Sequence, residues 1–370
     1  MFYSNHFGYF LTGLTLGITT VLVAKHLDFL RFSSVFKVNK TLKYGKAKPT
    51  KKKDFVVLIH GGAGVISKNI DSSPYYDALK SVIRSVLIFI NESKSSDLNA
   101  LDVVEFAVKV LEDNPLFNAG VGAVYTANET HELEASIMSG FQCRAGAVSL
   151  IKSVKNPISL ARLVMEKTPH IYLIGEEAEK IAAASGLERV NEAYYGTASR
   201  LEQLRGAKRA NIVSTDHNLM SSMKDSGTGT VGCVCMLHGH VATATSTGGL
   251  TNKYSGRIGD TPIVGGGFYA NDATCAVSAT GVGEELMRHV TAYDVSARMS
   301  IGKRNLSDAA RETVFQHLPR GAGGLIAVTA EGEYAMEFNC SGMFRGICDS
   351  SGMAKVGIWS ELEDVGLESD

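Results

Sequence analysis

The spacing of apolar and polar residues predicts a body of alternating helices and strands that starts near residue 54. An apolar run at 54–59 that ends in glycine predicts a buried strand. Apolar residues then recur at helical spacing, and Asp97 or Asn99 is placed to cap the second helix. The elements predicted next are helices at 76–90 and 101–111, a strand at 145–151, and helices at 157–167, 176–184 and 192–204.

The periodic pattern stops between Gly206 and Gly229, where the chain is polar and aperiodic. Such a stretch within a compact domain is uncommon and is typically functional or disordered, so we predict a flexible linker at about 206–229. Strands dominate after it. The predicted elements are a hairpin at 230–237 and 240–246, a strand at 274–280, a helix to about 299, a helix at 307–317, and a second hairpin at 324–329 and 333–338. Antiparallel sheets covered by helices account for both the helix-rich part before the linker and the strand-rich part after it, which predicts an α+β fold.

The N-terminal segment has a different pattern from the body. Residues 7–24 carry no charge and are near the lower length limit of a membrane-spanning helix. Residues 25–53 form a basic linker with ten Lys or Arg against one acid. Because basic residues follow the apolar run, the positive-inside rule predicts a single-pass membrane anchor in 1–24 with a cytosolic body at 54–370. A secretory or lysosomal protein with a cleaved signal, and a cytoplasmic protein, are the alternatives.

Composition narrows the function classes. The chain has 45% apolar and 20% charged residues and a net charge of −1, which is typical of a globular protein. The excess of basic residues is confined to the N-terminal segment, so the body lacks the charge pattern of a nucleic-acid-binding protein. Its six cysteines do not follow zinc spacing, and Cys233 and Cys235 lie on one face of a predicted strand.

Two glycine-rich motifs are discounted by their context. The GxGxxG at 227–232 lies between a polar loop and a hairpin, whereas a dinucleotide site needs a strand before it and a helix after it. The segment 60–64 is similar to the oxyanion loop of α/β-hydrolases, but the chain has no GxSxG. We therefore interpret His60 as a structural hydrogen-bonding residue rather than a catalytic base.

Eight short motifs follow one another along the body in a particular order. They are the segments 59–64, 117–124, 131–138, 229–232, 246–249, 256–260, 280–284 and 342–345. Together they resemble the plant-type L-asparaginases, also called isoaspartyl peptidases, which are N-terminal nucleophile hydrolases. The resemblance spans about 55–357. It implies a four-layer αββα sandwich, chain cleavage into an α subunit ending at 229 and a β subunit at 230–370, an (αβ)2 assembly, no organic cofactor, and a structural sodium ion.

The chemistry of Thr230 is consistent with that resemblance. A threonine hydroxyl needs a base, and the α-amine of the same residue can serve, since its unperturbed pKa is about 7.7–8.0. That amine exists only after the bond between Gly229 and Thr230 is cut. The Thr230 hydroxyl can attack the unhindered Gly229 carbonyl, and hydrolysis of the resulting ester frees the amine. From spacing alone, Thr230 is better explained as an ordinary strand residue; the resemblance makes it the expected nucleophile.

The resemblance also implies roles for residues around the nucleophile. Thr247 would orient Thr230, and Thr280 and Gly281 would form the oxyanion hole. Asn118 would assist cleavage or donate a hydrogen bond.

Two charged residues would hold the substrate. Arg257 would bind the α-carboxylate, a group that matches its planar set of donors. Asp260 would bind the α-ammonium, beside the carbonyl of Gly283. Spacing alone also allows an ordinary salt bridge between Arg257 and Asp260.

The predicted function is hydrolysis of the side-chain amide of L-asparagine, of isoaspartyl dipeptides, or of both, with release of L-aspartate. A glycosylasparaginase-like or threonine-aspartase-like hydrolase is one alternative, although Gly229 stands where those enzymes typically carry Asp. An uncleaved, membrane-tethered module that binds amino acids without turnover is the alternative from another class.

Overall fold

The computed structural model describes residues 53–93, 98–213 and 229–366. Within these ranges the helices are α1 (Ser73–Glu92), α2 (Ala100–Glu112), α3 (Pro157–Lys167), α4 (Gly175–Ala184), α5 (Ala198–Ala210), α6 (Gly283–Arg288), α7 (Thr291–Ser300) and α8 (Leu306–Glu312). The strands are β1 (Phe55–Gly64), β2 (Leu133–Ser139), β3 (Ala145–Ile151), β4 (Tyr172–Ile174), β5 (Val231–Leu237), β6 (His240–Thr247), β7 (Phe268–Ala270), β8 (Ala276–Gly281), β9 (Gly323–Val328), β10 (Tyr334–Phe338), β11 (Gly342–Asp349), β12 (Ala354–Gly357) and β13 (Glu363–Asp364).

The strands form two sheets. The larger has nine strands in the order β13-β12-β11-β1-β5-β6-β2-β3-β4, and the smaller has four in the order β10-β9-β8-β7. All pairs are antiparallel except β3 with β4. Strand β1 is buried along its whole length, because it pairs with β5 on one side and β11 on the other and both of its faces are covered.

Alternation along β1 separates two apolar cores. Val57 and Ile59 pack with residues of α1 to α4 on one face of the larger sheet. Val56 and Leu58 pack on the other face against Phe268, Ile326 and the rest of the smaller sheet. A third core joins the outer face of the smaller sheet to α6, α7 and α8. The layers are therefore helices, nine-stranded sheet, four-stranded sheet and helices, which agrees with the predicted α+β class.

Most of the predicted elements are present. The strand predicted at 145–151 and the helix predicted at 157–167 have the predicted bounds, and both predicted hairpins form within a residue or two. Asn99, rather than Asp97, is the N-cap of α2. Its side chain accepts hydrogen bonds from the backbone of Leu101 and Asp102, and Asp102 accepts one from the Asn99 backbone.

Two helix predictions and the start of the predicted linker are corrected. Residues 192–204 are not one helix: a short 3₁₀ turn at Glu192–Tyr194 precedes α5, which Thr197 caps. Since α5 runs to Ala210, the irregular segment begins later than the predicted 206, and 214–228 lie outside the described residues. The helix predicted after residue 280 is divided into α6 and α7 because Val290 has a left-handed backbone conformation (φ 49°).

The prediction of a membrane-anchored protein is corrected as well. Among the residues that the structure describes, no helix is both long enough and apolar enough to cross a bilayer. Segment 7–24 and the basic segment up to residue 52, on which the prediction was based, lie outside the described residues. We therefore withdraw the membrane span, the cytosolic orientation derived from it, and the membrane as a partner.

Candidate active site

Thr230 lies immediately before β5, at the end of the interface between the two sheets. Its side chain is 6% exposed. Because β5 is antiparallel to β6 and the pair Val231–Ser246 closes the described ladder, the next residue pair along the two strands is Thr230 and Thr247. Thr230 Oγ1 lies 3.5 Å from Oγ1 of Thr261. The structure thus holds the Thr230 hydroxyl beside that of Thr261 at a strand end.

The peptide bond before Thr230 is closely covered by a bulge in β1. The pairing of β1 with β11 shifts register between His60 and Gly62. A Cβ added to Gly62, which has a φ of 114°, would come 2.5 Å from the nitrogen and 2.8 Å from the oxygen of Gly229. A side chain at 62 would therefore push this bond out of place. Gly229 is itself confined, because its Cβ would meet Thr280 Oγ1 at 2.7 Å.

Thr280 and Gly281 end strand β8 beside this bond. The fully buried Thr280 hydroxyl donates a hydrogen bond of 3.3 Å to the Thr230 carbonyl. Gly281 has a φ of 148°, and an added Cβ would lie 2.0 Å from the Ala322 carbonyl oxygen, so only glycine fits. Strands β5 and β8 belong to different sheets, and their ends meet here.

Thr247 and Asn118 hold the turn that follows β6. Thr247 Oγ1 accepts a hydrogen bond from the Gly249 amide. Asn118 is 2% exposed; its amide nitrogen donates to the Gly249 carbonyl at 2.8 Å, and its oxygen accepts from the Val124 amide at 3.0 Å. Asn118 therefore supports the 248–249 turn, and its described hydrogen bonds do not include one with Thr230.

The two predicted substrate-binding side chains lie together. A Cβ added to Gly283 would come 2.7 Å from Asp260 Oδ1 and 2.8 Å from Arg257 Nη2. Asp260 is 5% exposed, and its Oδ2 has no hydrogen-bond partner among the described residues. Arg257 does not pair with Asp260 in a hydrogen bond; instead it donates to Glu284. The buried Asp260 carboxyl and the partly buried Arg257 guanidinium thus lie side by side with the opposite charges that a zwitterion would pair with.

Burial determines the charge of Asp260. It raises the pKa of the carboxyl from 3.8 to about 7, against the attraction of Arg257. Near neutral pH this group therefore changes between an acceptor-only anion and a neutral acid.

His60 lies near the Thr230 backbone but is not placed as a base. Its Nε2 is 2.7 Å from Ser278 Oγ, which is 3.0 Å from Thr245 Oγ1, and all three residues are fully buried. Burial lowers the pKa of the imidazole to about 3, against a raising contribution from the Thr230 backbone. A ring that stays neutral at working pH and bonds to a serine fits the structural interpretation made from the sequence.

Four residues of this region were not singled out from the sequence. Thr261 contacts Thr230, Glu284 pairs with Arg257, and Lys253 and Glu134 form a buried ion pair beneath the 253–260 loop. The adjacency of Thr261 to Asp260 and of Glu284 to Gly283 could have drawn attention to the first two. Glu134 lies in the 131–138 motif but was given no role, and Lys253 gave no signal, because a lone charged residue in a sequence is normally exposed.

Metal binding by side chains finds no support in the described residues, which contain no group of three or more His, Cys, Asp or Glu arranged for it. Main-chain carbonyls do converge in the loop after α2. An added Cβ on Gly122 would lie 2.4 Å from the Pro115 oxygen and 2.6 Å from the Phe117 oxygen, and one on Gly120 would lie 2.3 Å from the Glu112 oxygen. Carbonyl oxygens suit a hard cation such as sodium. The sodium ion implied by the resemblance stays a prediction.

Glu112, at the end of α2, provides a test of buried charge near the site. It is fully buried, its Oε1 accepts from Ser246 Oγ at 2.6 Å and the Ile158 amide at 3.1 Å, and burial raises its pKa to about 8. The folded chain thus keeps a proton that the unfolded chain releases above about pH 4.5, so stability falls as pH rises from about 4.5 to 8.

We expect Glu112→Gln to reduce this slope by up to about 1.4 kcal/mol per pH unit in urea unfolding. Parallel pH curves for the two proteins would contradict the assignment.

Most of the chain is similar to one known protein family. Residues 53–358 match the model of a family described as asparaginase. The isoaspartyl peptidase of Escherichia coli is 44% identical over 316 residues, which cover 84% of this chain and 97% of the relative. A probable isoaspartyl peptidase/L-asparaginase 2 of Arabidopsis thaliana is 42% identical, covering 82% and 99%. The plant-type L-asparaginase of Thermococcus kodakarensis is 39% identical, covering 78% and 94%.

Proposed function

Because this chain belongs to the asparaginase family, we propose that it is a hydrolase of the L-asparagine side-chain amide and of isoaspartyl peptides. The observation that carries the proposal is the cluster of Thr230, Thr280, Arg257 and Asp260 at one end of the two sheets. The reaction class follows from the family.

We propose that Thr230 becomes the nucleophile after cleavage of the bond between Gly229 and Thr230. Two contacts support this step. Gly62 lies close against Gly229, and Thr280 donates a hydrogen bond to the Thr230 carbonyl. Together they fix the bond between Gly229 and Thr230 relative to the hydroxyl that attacks it. Cleavage exposes the Thr230 amine as a general base. The hydroxyl then attacks the substrate carbonyl, ammonia or an amino acid leaves, and water hydrolyses the β-aspartyl ester.

The remaining roles follow from position. Thr280 and Gly281 stabilise the negative charge on the attacked carbonyl oxygen, as preorganised groups in a buried site do most effectively. Arg257 binds the substrate α-carboxylate and Asp260 its α-ammonium, with the Gly283 carbonyl adjacent. Thr247 orients Thr230 across the strand pair, and Asn118 acts on the turn beyond Thr247. We further propose an (αβ)2 assembly.

The test uses the full chain. We expect purified protein to yield a second fragment with the N-terminal sequence Thr-Val-Gly-Cys, ammonia from L-asparagine, and free amino acid from an isoaspartyl dipeptide. Intact mass, N-terminal sequencing and both product assays are followed over days. An intact chain that binds L-asparagine without turnover would reject the proposal in favour of a binding module. Turnover of glycosylated asparagine alone would favour the glycosylasparaginase alternative.

The pKa of Asp260 predicts a pH dependence of binding. Since Asp260 must be ionised to accept the substrate ammonium, we expect kcat/KM for L-asparagine to fall as the pH drops below about 7. Protonation of the Thr230 amine also lowers kcat/KM at acidic pH, but it lowers kcat as well. A rise in KM that exceeds the fall in kcat between pH 7 and 5.5 identifies the Asp260 contribution. In Asp260→Asn the KM is expected to be higher and independent of pH over that interval. If the KM of this variant still rises at acidic pH as it does in the wild type, Asp260 is excluded as the titrating group.

A further inference from the structure

The guanidinium of Arg257 is held from one edge by Glu284. Arg257 Nε and Nη2 both donate to Glu284 Oε1, at 3.0 and 2.9 Å. The Arg257 side chain is 16% exposed and that of Glu284 is 38% exposed. Glu284 follows Gly283 in α6, so the backbone that approaches the substrate site also carries this carboxylate.

The other edge of the guanidinium is bordered by glycine backbone. A guanidinium has five N–H donors, and the two bonds to Glu284 use one edge. On the opposite side, Nη1 faces glycines: a Cβ added to Gly259 would lie 2.6 Å from it and one added to Gly249 would lie 3.3 Å from it. Glu284 thereby fixes which donors of Arg257 face the substrate carboxylate.

The next acidic residue in α6 offers a contrast. Glu285 pairs with Arg288, whose side chain is 63% exposed, and contributes to no contact with Arg257 among the described residues. Exposed pairs of this kind are worth little. The Arg257–Glu284 pair is partly buried and lies beside Asp260. The orientation of the Arg257 guanidinium therefore affects how a ligand binds there.

We propose that Glu284 is a positioning residue, which orients the Arg257 guanidinium for the substrate α-carboxylate and so determines affinity for substrates that carry this group. The inference rests on the proposed function of Arg257. A free arginine side chain samples many rotamers, and binding would have to overcome the loss of that rotamer entropy. Glu284 removes that freedom before the substrate arrives.

The test measures L-asparagine kinetics for full-length wild type, Glu284→Ala, Glu284→Gln and the matched control Glu285→Ala. We expect Glu284→Ala to raise KM about tenfold with kcat within about twofold, as loss of a fixed guanidinium predicts. Glu284→Gln keeps an oxygen acceptor, so its KM is expected within about threefold of wild type, and Glu285→Ala should match wild type. Inhibition by β-alaninamide, which lacks the α-carboxylate, should be equal in all four proteins.

Several results would overturn the inference. One is a wild-type KM in Glu284→Ala; another is a fall in kcat at constant KM; a third is an equal loss of β-alaninamide inhibition, which would indicate general distortion of the site. If Glu284→Ala does not fold, Glu284→Asp takes its place, since its shorter side chain cannot span to Arg257 and the same rise in KM is expected. A wild-type chain that neither cleaves nor hydrolyses L-asparagine would reject the proposed function itself, and this inference with it.

Discussion

Thr230→Ala is expected to leave the chain uncut and to lower hydrolysis of L-asparagine by at least about 10⁴-fold. The variant lacks the hydroxyl that attacks Gly229 and the hydroxyl that attacks the substrate, so one substitution removes both steps. The fold should be retained. The Thr230 side chain has one described contact, the 3.5 Å approach to Thr261, and its backbone carbonyl can still accept from Thr280.

The measurement is the intact mass and the ammonia released over days, with Thr230→Ser as the matched control. Serine keeps a hydroxyl in the same place, so cleavage and hydrolysis should both persist at a reduced rate. Circular dichroism shows whether Thr230→Ala is folded. A fragment starting at residue 230 in the alanine variant would exclude Thr230 as the agent of cleavage, and unchanged ammonia release would exclude it as the nucleophile.

Lys253→Met is expected to lower the free energy of unfolding by about 3–5 kcal/mol. Lys253 and Glu134 are both fully buried, with Nζ 3.9 Å from Glu134 Oε1 and 2.6 Å from the Glu132 carbonyl. Burial lowers the pKa of Lys253 and raises that of Glu134, and each charge opposes this shift in its partner. Methionine removes the cation and leaves Glu134 as an uncompensated buried carboxyl.

The same pair connects stability to the substrate loop. Both oxygens of Glu134 accept from the Gly259 amide at 3.1 Å, and Gly259 immediately precedes Asp260. Glu132, two residues earlier in the chain, accepts from the Gly256 amide at 2.7 Å. The start of β2 thus holds the loop that carries Arg257 and Asp260. We expect Lys253→Met to disturb this loop before it disturbs the sheets.

Urea unfolding in the Thr230→Ala background avoids chain cleavage during the measurement. Glu134→Gln, which keeps an oxygen for the Gly259 amide, should recover about 1–3 kcal/mol when combined with Lys253→Met. Lys180→Met is the control, because Lys180 is 58% exposed and its substitution should change stability by less than about 0.5 kcal/mol. Equal effects of Lys253→Met and Lys180→Met would show that the buried pair does not hold the fold.

Local signals were sufficient for part of the fold. The strand at 145–151 and the helix at 157–167 were predicted with correct bounds because each carries its own period, and a proline opens the helix. Strands β11 and β12 were not predicted; β11 pairs with β1 nearly 300 residues earlier in the chain. The helix at 283–300 is divided at Val290, whose backbone is left-handed. A β-branched residue rarely adopts this conformation, so the residue type did not predict the division.

By itself, the sequence determined the family, the α+β class and the identity of the candidate site residues, because these depend on short motifs in a given order and on local periodicity. The tertiary structure decided how those residues are held. It assigned Asn118 to the turn after Thr247, paired Arg257 with Glu284 rather than with Asp260, and buried Lys253 and Glu134 together. These contacts join segments distant in the chain, and only the folded chain brings their groups together, so no local pattern in the sequence could specify them.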